Sequence, residues 1–189
     1  GAPQFDEEAC ENHFKKTYSD PNRGFQYVPP PGLKRPKLGK YKFDQSPPSR
    51  SSFNKTLYKR SNKSAPGPNG LPYLVYKKLP CCADLLFLIT SRILKEESMP
   101  SSYQVAIISL IPKDPSNLKD VSLFRPIACT NVESKILWAI VSERLTSFLV
   151  KNGYINVRLQ KGFLPGIPGC IEHSATLAEA LRDARRGQR

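Results

Sequence analysis

The side chains best suited to binding chemistry are cationic, and most of them lie in one stretch of the sequence. Between residues 34 and 63, ten lysine and arginine residues are accompanied by one acid, Asp44. Such side chains neutralise phosphates, and the interleaved Tyr27, Tyr41 and Phe43 can stack on unpaired bases at ~1–3 kcal/mol each. This mixture predicts binding of a single-stranded nucleic acid, although a solvated linker whose lysines keep it soluble has the same composition. We assign nucleic-acid binding here to Lys34, Arg35, Lys37, Lys40, Lys42, Lys59, Arg60 and Lys63.

The charge of the whole chain also favours a polyanionic partner. Its 189 residues carry a formal net charge of +13, and such an imbalance opposes folding through self-repulsion. A membrane surface is the rival polyanion, but no apolar run approaches the ~20 residues that span a bilayer. We therefore expect nucleic acid, and no membrane, as the partner.

The residue types that usually hold metals are few and scattered. Five cysteines are an odd number, and the adjacent Cys81 and Cys82 cannot begin a C-x-x-C zinc knuckle. Only His13 and His173 are available to join them. We expect no metal site, and we expect reduced thiols that pack as small apolar groups in an intracellular protein.

Periodicity and helix-breaking residues predict an α+β fold, with a helical lobe around a small antiparallel β-hairpin and an extended basic, proline-rich arm before it. The arm covers residues 1–62 and includes short helices, and the lobe covers residues 63–189. The hairpin pairs residues 105–111, expected to be buried on both faces, with residues 121–127. The predicted helices cover residues 6–18, 50–60, 84–97, 130–151 and 172 onward.

Individual side chains make these helix predictions testable. The helix at 84–97 is assigned to the core because apolar residues recur at helical spacing. In the last helix, Leu177 and Leu181 are expected to point inward. Thr130 and Glu133 match a capping box, in which each side chain satisfies a free backbone N–H. The apolar positions of the helix at 84–97 are Leu85, Leu88, Ile89 and Ile93.

Four short stretches follow one another along the chain. They are KSAPGPNG at 63–70, LIPK at 110–113, FRPIA at 124–128, which leads into Asn131 and Lys135, and QKGFLPG at 160–166. Together they resemble, in order and spacing, the amino-terminal motifs of non-LTR retrotransposon (LINE-type) reverse transcriptases. The resemblance spans residues 63–169, and the basic arm is similar to the variable extension that precedes the fingers of these enzymes. A relative from the group II intron or telomerase lineages is a further alternative.

The resemblance implies roles for particular residues. Lys113 at the hairpin turn and Arg125 in the return strand match basic residues that reach the triphosphate of the incoming dNTP, and Gln160 matches a position near the nascent base pair. From the residues alone, Lys113 can equally be a polar turn residue, Arg125 an anchor to a carboxylate, and the glycine-containing loops strained connections. By the same resemblance, the template path would be lined by Pro66, Gly67, Gly162 and Phe163.

The carboxylates that would perform polymerisation are missing from this pattern. DNA synthesis of this kind needs acids that hold two divalent metals, and no Asp-Asp dipeptide occurs in the sequence. The resemblance therefore implies the fingers fragment of an RNA-directed DNA polymerase, which binds RNA template, DNA primer and dNTP phosphates but does not catalyse alone. It implies no cofactor for this fragment and Mg²⁺ for the intact enzyme.

Two functional hypotheses follow for this chain. In the first, the remaining palm and thumb of the polymerase are the protein partners, and the setting is intracellular and nuclear. In the second, the chain is a stand-alone or domesticated nucleic-acid-binding or assembly module, whose apolar surface serves a protein partner or self-association.

Overall fold

The structure is a computed structural model that describes residues 4–21, 24, 28, 31–32, 37–162, 164, 166 and 169–187. Two 3₁₀ turns, Ser101–Tyr103 and Val121–Leu123, precede the two strands. Over the described residues the coarse α+β prediction is confirmed. The helices and strands are α1 (Glu7–Tyr18), α2 (Arg50–Lys59), α3 (Tyr73–Lys78), α4 (Pro80–Glu96), β1 (Ala106–Pro112), β2 (Phe124–Thr130), α5 (Val132–Lys151) and α6 (Ile171–Gly187).

Helix starts are determined by local capping chemistry. The Asp6 side chain accepts a hydrogen bond from the Ala9 nitrogen at 2.6 Å and begins α1. Ser49 accepts from the Ser52 nitrogen at 3.2 Å and begins α2, at the start predicted for the helix at 50–60. Helix α4 begins at Pro80, earlier than predicted. Proline is well tolerated in the first turn of a helix, because the N–H that it lacks would have no partner there.

The predicted hairpin is confirmed, but the second strand begins three residues later than expected. Strands β1 and β2 are antiparallel, with Ile111 opposite Arg125. Residues 121–123 form a 3₁₀ turn instead, because the Asp120 side chain accepts from the Ser122 nitrogen at 2.8 Å and closes the chain locally.

The prediction that residues 105–111 are buried on both faces is wrong. Ile107 and Ile108, which lie on opposite faces of β1, are 50% and 53% exposed. An apolar contact is found instead at the end of the hairpin, where the Phe5 ring meets the buried Phe124 ring edge-on at 5.0 Å. A strand is buried on both faces only when a layer covers each side, and the described residues provide no such layers.

The chain divides into two compact units. The first consists of residues 1–34 and 45–140, and the second consists of residues 35–44 and 141–189. The first has a core built from α2, α3, α4 and the beginning of α5. Because α2 contributes Phe53 and Leu57, both fully buried, a truncation at residue 62 would remove core side chains. The core side chains are Phe53, Leu57, Tyr73, Tyr76, Ala83, Leu86, Val132, Ile136 and Ile140.

The buried face of α4 differs from the predicted one. Leu86 is buried, and Ile93 is buried as expected, whereas Leu85 and Leu88 are exposed. Helix α4 carries two apolar sets at helical spacing, so periodicity alone fits either face. The neighbouring helices α2 and α3 select the face that is buried.

In the second unit, residues 37–43 of the arm are fixed to the end of α5. The Asn152 side chain accepts from the Tyr41 nitrogen at 3.0 Å and donates to the Tyr41 carbonyl at 3.1 Å. The Tyr154 hydroxyl accepts from the Gly39 nitrogen at 2.7 Å and donates to the Lys37 carbonyl at 3.1 Å. A solvated linker does not describe this part of the arm.

Helix α6 is exposed along its length, so the inward orientation expected for Leu177 and Leu181 is wrong. Its described side-chain contacts within the unit come from its first turn, where Glu172 pairs with Lys161 at 2.7 Å and His173 meets the Arg158 carbonyl at 3.3 Å. Among the described residues, no helix is both long enough and apolar enough to cross a membrane.

The two faces of α4 give a matched test of the core. Leu86→Ala should lower the free energy of unfolding by about 2–5 kcal/mol, because Leu86 is 1% exposed and its truncation leaves a cavity. Leu88→Ala, on the same helix but 62% exposed, should change stability by about 0.5 kcal/mol or less. Urea unfolding followed by circular dichroism measures both, and equal losses would contradict the assigned faces.

Candidate nucleic-acid interface

The end of the hairpin presents the two cations that the sequence assigns to the nucleotide. Arg125 lies opposite Ile111 in the register, and Lys113 follows Ile111 by two residues. The Lys113 nitrogen donates to the Leu123 carbonyl at 2.7 Å, just beyond the last strand pair, Pro112 and Phe124. Lys113 and Arg125 therefore both lie at the same end of the hairpin.

These two cations differ in their local bonding. Lys113 is exposed, and its ammonium group donates to the Ser122 carbonyl at 2.8 Å, which also fits its interpretation as a turn residue. The Arg125 side chain is exposed and makes no hydrogen bond or ion pair with any described residue, so no described carboxylate anchors it. Its guanidinium has five N–H donors that could bind a ligand.

The turn at residues 64–70 is packed against the beginning of α5. A Cβ atom on the buried Gly67 would overlap the backbone of Thr130 and Asn131, so only glycine fits there. The Asn131 side chain accepts from the Asn69 nitrogen at 3.1 Å and donates to the Ser102 carbonyl at 3.2 Å. The turn is thus fixed by side-chain contacts, and Pro66 beside it is exposed.

Lys135 adds a further contact to this turn, since its ammonium group donates to the Ala65 carbonyl at 2.7 Å. Asn131 and Lys135 both belong to the stretch that carries the family resemblance. Their contacts join two of the four stretches, because residues 63–70 supply the turn and Asn131 and Lys135 supply the groups that hold it.

The capping box predicted for Thr130 and Glu133 is wrong. Thr130 is the last residue of β2, and α5 begins at Val132. The Glu133 carboxylate instead accepts from the Asn69 amide at 2.8 Å and from the Tyr76 hydroxyl at 2.6 Å. The strand thus extends through the predicted cap, and tertiary donors outcompete the local backbone N–H.

Buried phenols surround this carboxylate, and sequence analysis did not find them. Burial, together with the hydrogen bond from Tyr76 to Glu133, raises the pKa of Tyr76. Burial and the Glu133 charge raise the pKa of Tyr103 to about 12. No short-range sequence pattern identifies Tyr76 or Tyr103 as part of this cluster, because Glu133, which influences both, is distant in the sequence.

The cations at the end of α2 and just after it are not equivalent. Lys59 and Lys63 are exposed. Arg60 is half-buried, its Nε is buried without a partner among the described residues, and its carbonyl accepts from the Lys77 ammonium. Lys59 and Lys63 therefore suit phosphate binding better than Arg60 does. Lys34, Arg35 and Phe163 lie outside the described residues.

The second unit contains other predicted residues, some on the fixed arm and some in a groove. Lys37, Lys40 and Lys42 are exposed on the fixed arm, and the Tyr41 ring between them is 56% exposed. Gln160 and Gly162 line a groove of about 500 Å³ beside Tyr154. The Gln160 amide donates to the Gly162 carbonyl at 3.2 Å, which orients its side chain.

No protein-family model matches the chain. Across the described ranges, no group of three or more His, Cys, Asp or Glu side chains is arranged to hold a metal ion. The candidate residues described above are cations, amides and aromatic rings.

The buried phenol of Tyr103 predicts a pH dependence of stability. The folded protein favours the neutral phenol, because the pKa of Tyr103 is raised there. The contribution of this group to the free energy of unfolding is therefore complete below about pH 10. Above pH 10 stability should fall through about pH 12, by at most about 1.4 kcal/mol per pH unit for this group. Tyr103→Phe should reduce this loss and cost little at pH 7, because the hydroxyl is buried without a described partner.

Urea unfolding at pH 7, 10 and 11 measures the effect. Tyr58→Phe is the matched control, since the Tyr58 side chain is exposed. If Tyr58→Phe and Tyr103→Phe give the same pH profile, the alkaline loss does not come from the buried phenol.

Proposed function

We propose that the chain is the fingers portion of a non-LTR retrotransposon RNA-directed DNA polymerase. It binds the RNA template, the DNA primer and the phosphates of the incoming dNTP, and other parts of the polymerase supply the metal-binding carboxylates. The single observation that carries the proposal is that two exposed cations, Lys113 and Arg125, lie at the same end of the hairpin.

The chemistry of phosphoryl transfer explains why a pair of cations at this end of the hairpin would help to bind a dNTP. Catalysis depends mainly on positioning and on cations that offset charge on the phosphate oxygens. Arg125 can bind two phosphate oxygens with its planar fork, and Lys113 supplies a compact point charge beside it. Arg125 lies within β2, and Lys113 directly follows β1, so the hairpin backbone holds both positions.

The fixed arm supports the strand-binding part of the proposal. Lys37, Lys40 and Lys42 project from a backbone that Asn152 and Tyr154 already hold. Binding a phosphate chain therefore costs less backbone entropy than it would on a free linker. In the first unit, Lys59 and Lys63 offer further exposed cations.

A second function is favoured by a specific observation. Exposed apolar side chains lie on the hairpin and on α6, and surfaces of this kind often bind another protein. A stand-alone nucleic-acid-binding or assembly module would use them for a protein partner or for self-association. Such a module would need no dNTP affinity, which separates the two functions. These side chains include Ile107, Ile108, Ile111, Ile127, Leu177 and Leu181.

The hairpin cations predict a nucleotide-binding phenotype. Arg125→Gln should weaken binding of a fluorescent dATP analogue by roughly tenfold or more, because a charge-assisted contact contributes about 1.5–3 kcal/mol. Lys113→Gln should act in the same direction. Lys119→Gln is the matched control, since Lys119 is an exposed lysine in the same connection between the strands. Anisotropy titration measures the dissociation constants, and no effect of Arg125→Gln would support the module without polymerase function.

The arm cations predict a salt-dependent phenotype. Replacing Lys37, Lys40 and Lys42 by Gln should weaken binding of single-stranded RNA and reduce the slope of log K against log salt by up to about 2, because each phosphate that a lysine neutralises contributes ~0.7 to this slope. Unlike a truncation at residue 62, these substitutions leave the buried side chains of α2 in the core. The control replaces the exposed Lys16, Lys95 and Lys119 by Gln, which changes the net charge equally. Equal effects in the two variants would show that only net charge matters.

A further inference from the structure

The groove in the second unit has the composition of a small-ligand site. It has a volume of about 500 Å³ and is lined by Tyr154, Asn156, Leu159, Gln160 and Leu164, among others. The lining includes apolar side chains, of which Leu164 is buried and Leu159 is largely exposed. Pockets of roughly 300–1,000 Å³ that combine apolar side chains with a few polar groups are typical of small-molecule sites.

Two amide side chains in the groove are oriented by the backbone and retain unused capacity. The Asn156 carbonyl oxygen accepts from the Arg158 nitrogen at 3.0 Å, and its NH₂ group has no partner among the described residues. The Gln160 NH₂ group donates to the Gly162 carbonyl at 3.2 Å, and its side-chain oxygen has no partner among the described residues. Both residues line the groove, which therefore offers one amide donor and one amide acceptor. A flat ring with polar edge atoms, as in a nucleobase, matches this combination.

The same groove is joined to the basic arm through one tyrosine. Tyr154 lines the groove, and its hydroxyl holds the arm at Lys37 and Gly39. Lys37, Lys40 and Lys42 are exposed on the arm that this hydroxyl holds. By contrast, the nearby Lys161 is paired with Glu172 at 2.7 Å, which compensates its charge. Phosphate-binding cations and a base-sized groove thus belong to one compact unit.

We propose that this groove binds one unpaired nucleobase of a single strand whose phosphates lie along the arm, with Asn156 and Gln160 contacting the base edge. The inference rests on the proposed function in one respect, because a strand bound by the arm delivers the base. It adds a base-binding site to a surface otherwise assigned to the phosphate backbone.

The main experiment compares two oligonucleotides of equal charge. One is a pentamer of deoxyadenosine, and the other is a pentamer of abasic tetrahydrofuran residues. The wild-type chain should prefer the base-bearing pentamer by about fivefold or more, since contacts to one base contribute ~1–3 kcal/mol. Asn156→Asp keeps the oxygen that accepts from Arg158 and removes the donor, and Gln160→Ala removes the acceptor. Each should reduce the preference, and Gln104→Ala, at an exposed glutamine of the first unit, should not.

The ratio of the two affinities separates this inference from the proposed function. A preference that both groove variants retain in full would overturn the groove as the base site and would point to stacking elsewhere, for example on Tyr41. Salt-dependent binding with no preference for bases would also overturn it while leaving strand binding intact.

A second measurement applies if neither pentamer binds, an outcome that would contradict strand binding by the arm. Neutral adenosine is titrated against ribose while the side-chain NH₂ signals of Asn156 and Gln160 are followed by NMR. Shifts with adenosine alone would support a base site in the groove even without the strand. Absence of shifts, or equal shifts with ribose, would overturn it.

Discussion

Gly67 lies against the backbone of Thr130 and Asn131, and the arrangement of the first unit depends on that close approach. A side chain at this position would separate the turn from the beginning of α5. The separation would break the hydrogen bonds of Asn131 and Glu133 with Asn69. One missing Cβ therefore allows a turn, a strand end and a helix start to share a single polar network.

The excess positive charge is compatible with folding because the structure separates it from the core. The core of the first unit is apolar, and the half-buried Glu133 carboxylate accepts from neutral donors. The exposed lysines of the second unit stand on an arm that Asn152 and Tyr154 hold through backbone groups. These neutral hydrogen bonds are not screened by salt and oppose the self-repulsion of the lysines, which stay exposed.

Local chemistry made much of the secondary structure predictable. Asp6 and Ser49 cap helices close to the predicted positions, and the hairpin forms where β-branched residues flank a turn. Predictions that needed a partner surface failed. Leu88 and Leu177 have suitable spacing for burial, yet both are exposed, because spacing defines a face without supplying anything to cover it.

The sequence by itself determined the positions of most helices, the hairpin, the basic arm and the residue types able to bind phosphate, because each follows from neighbours within a few positions. Only the tertiary structure decided that Glu133 binds Asn69 and Tyr76 instead of capping a helix, and that Asn152 holds the arm. The same holds for the groove beside Gln160. These features join residues far apart in the chain, and their energy depends on burial and geometry that exist only after the elements have packed.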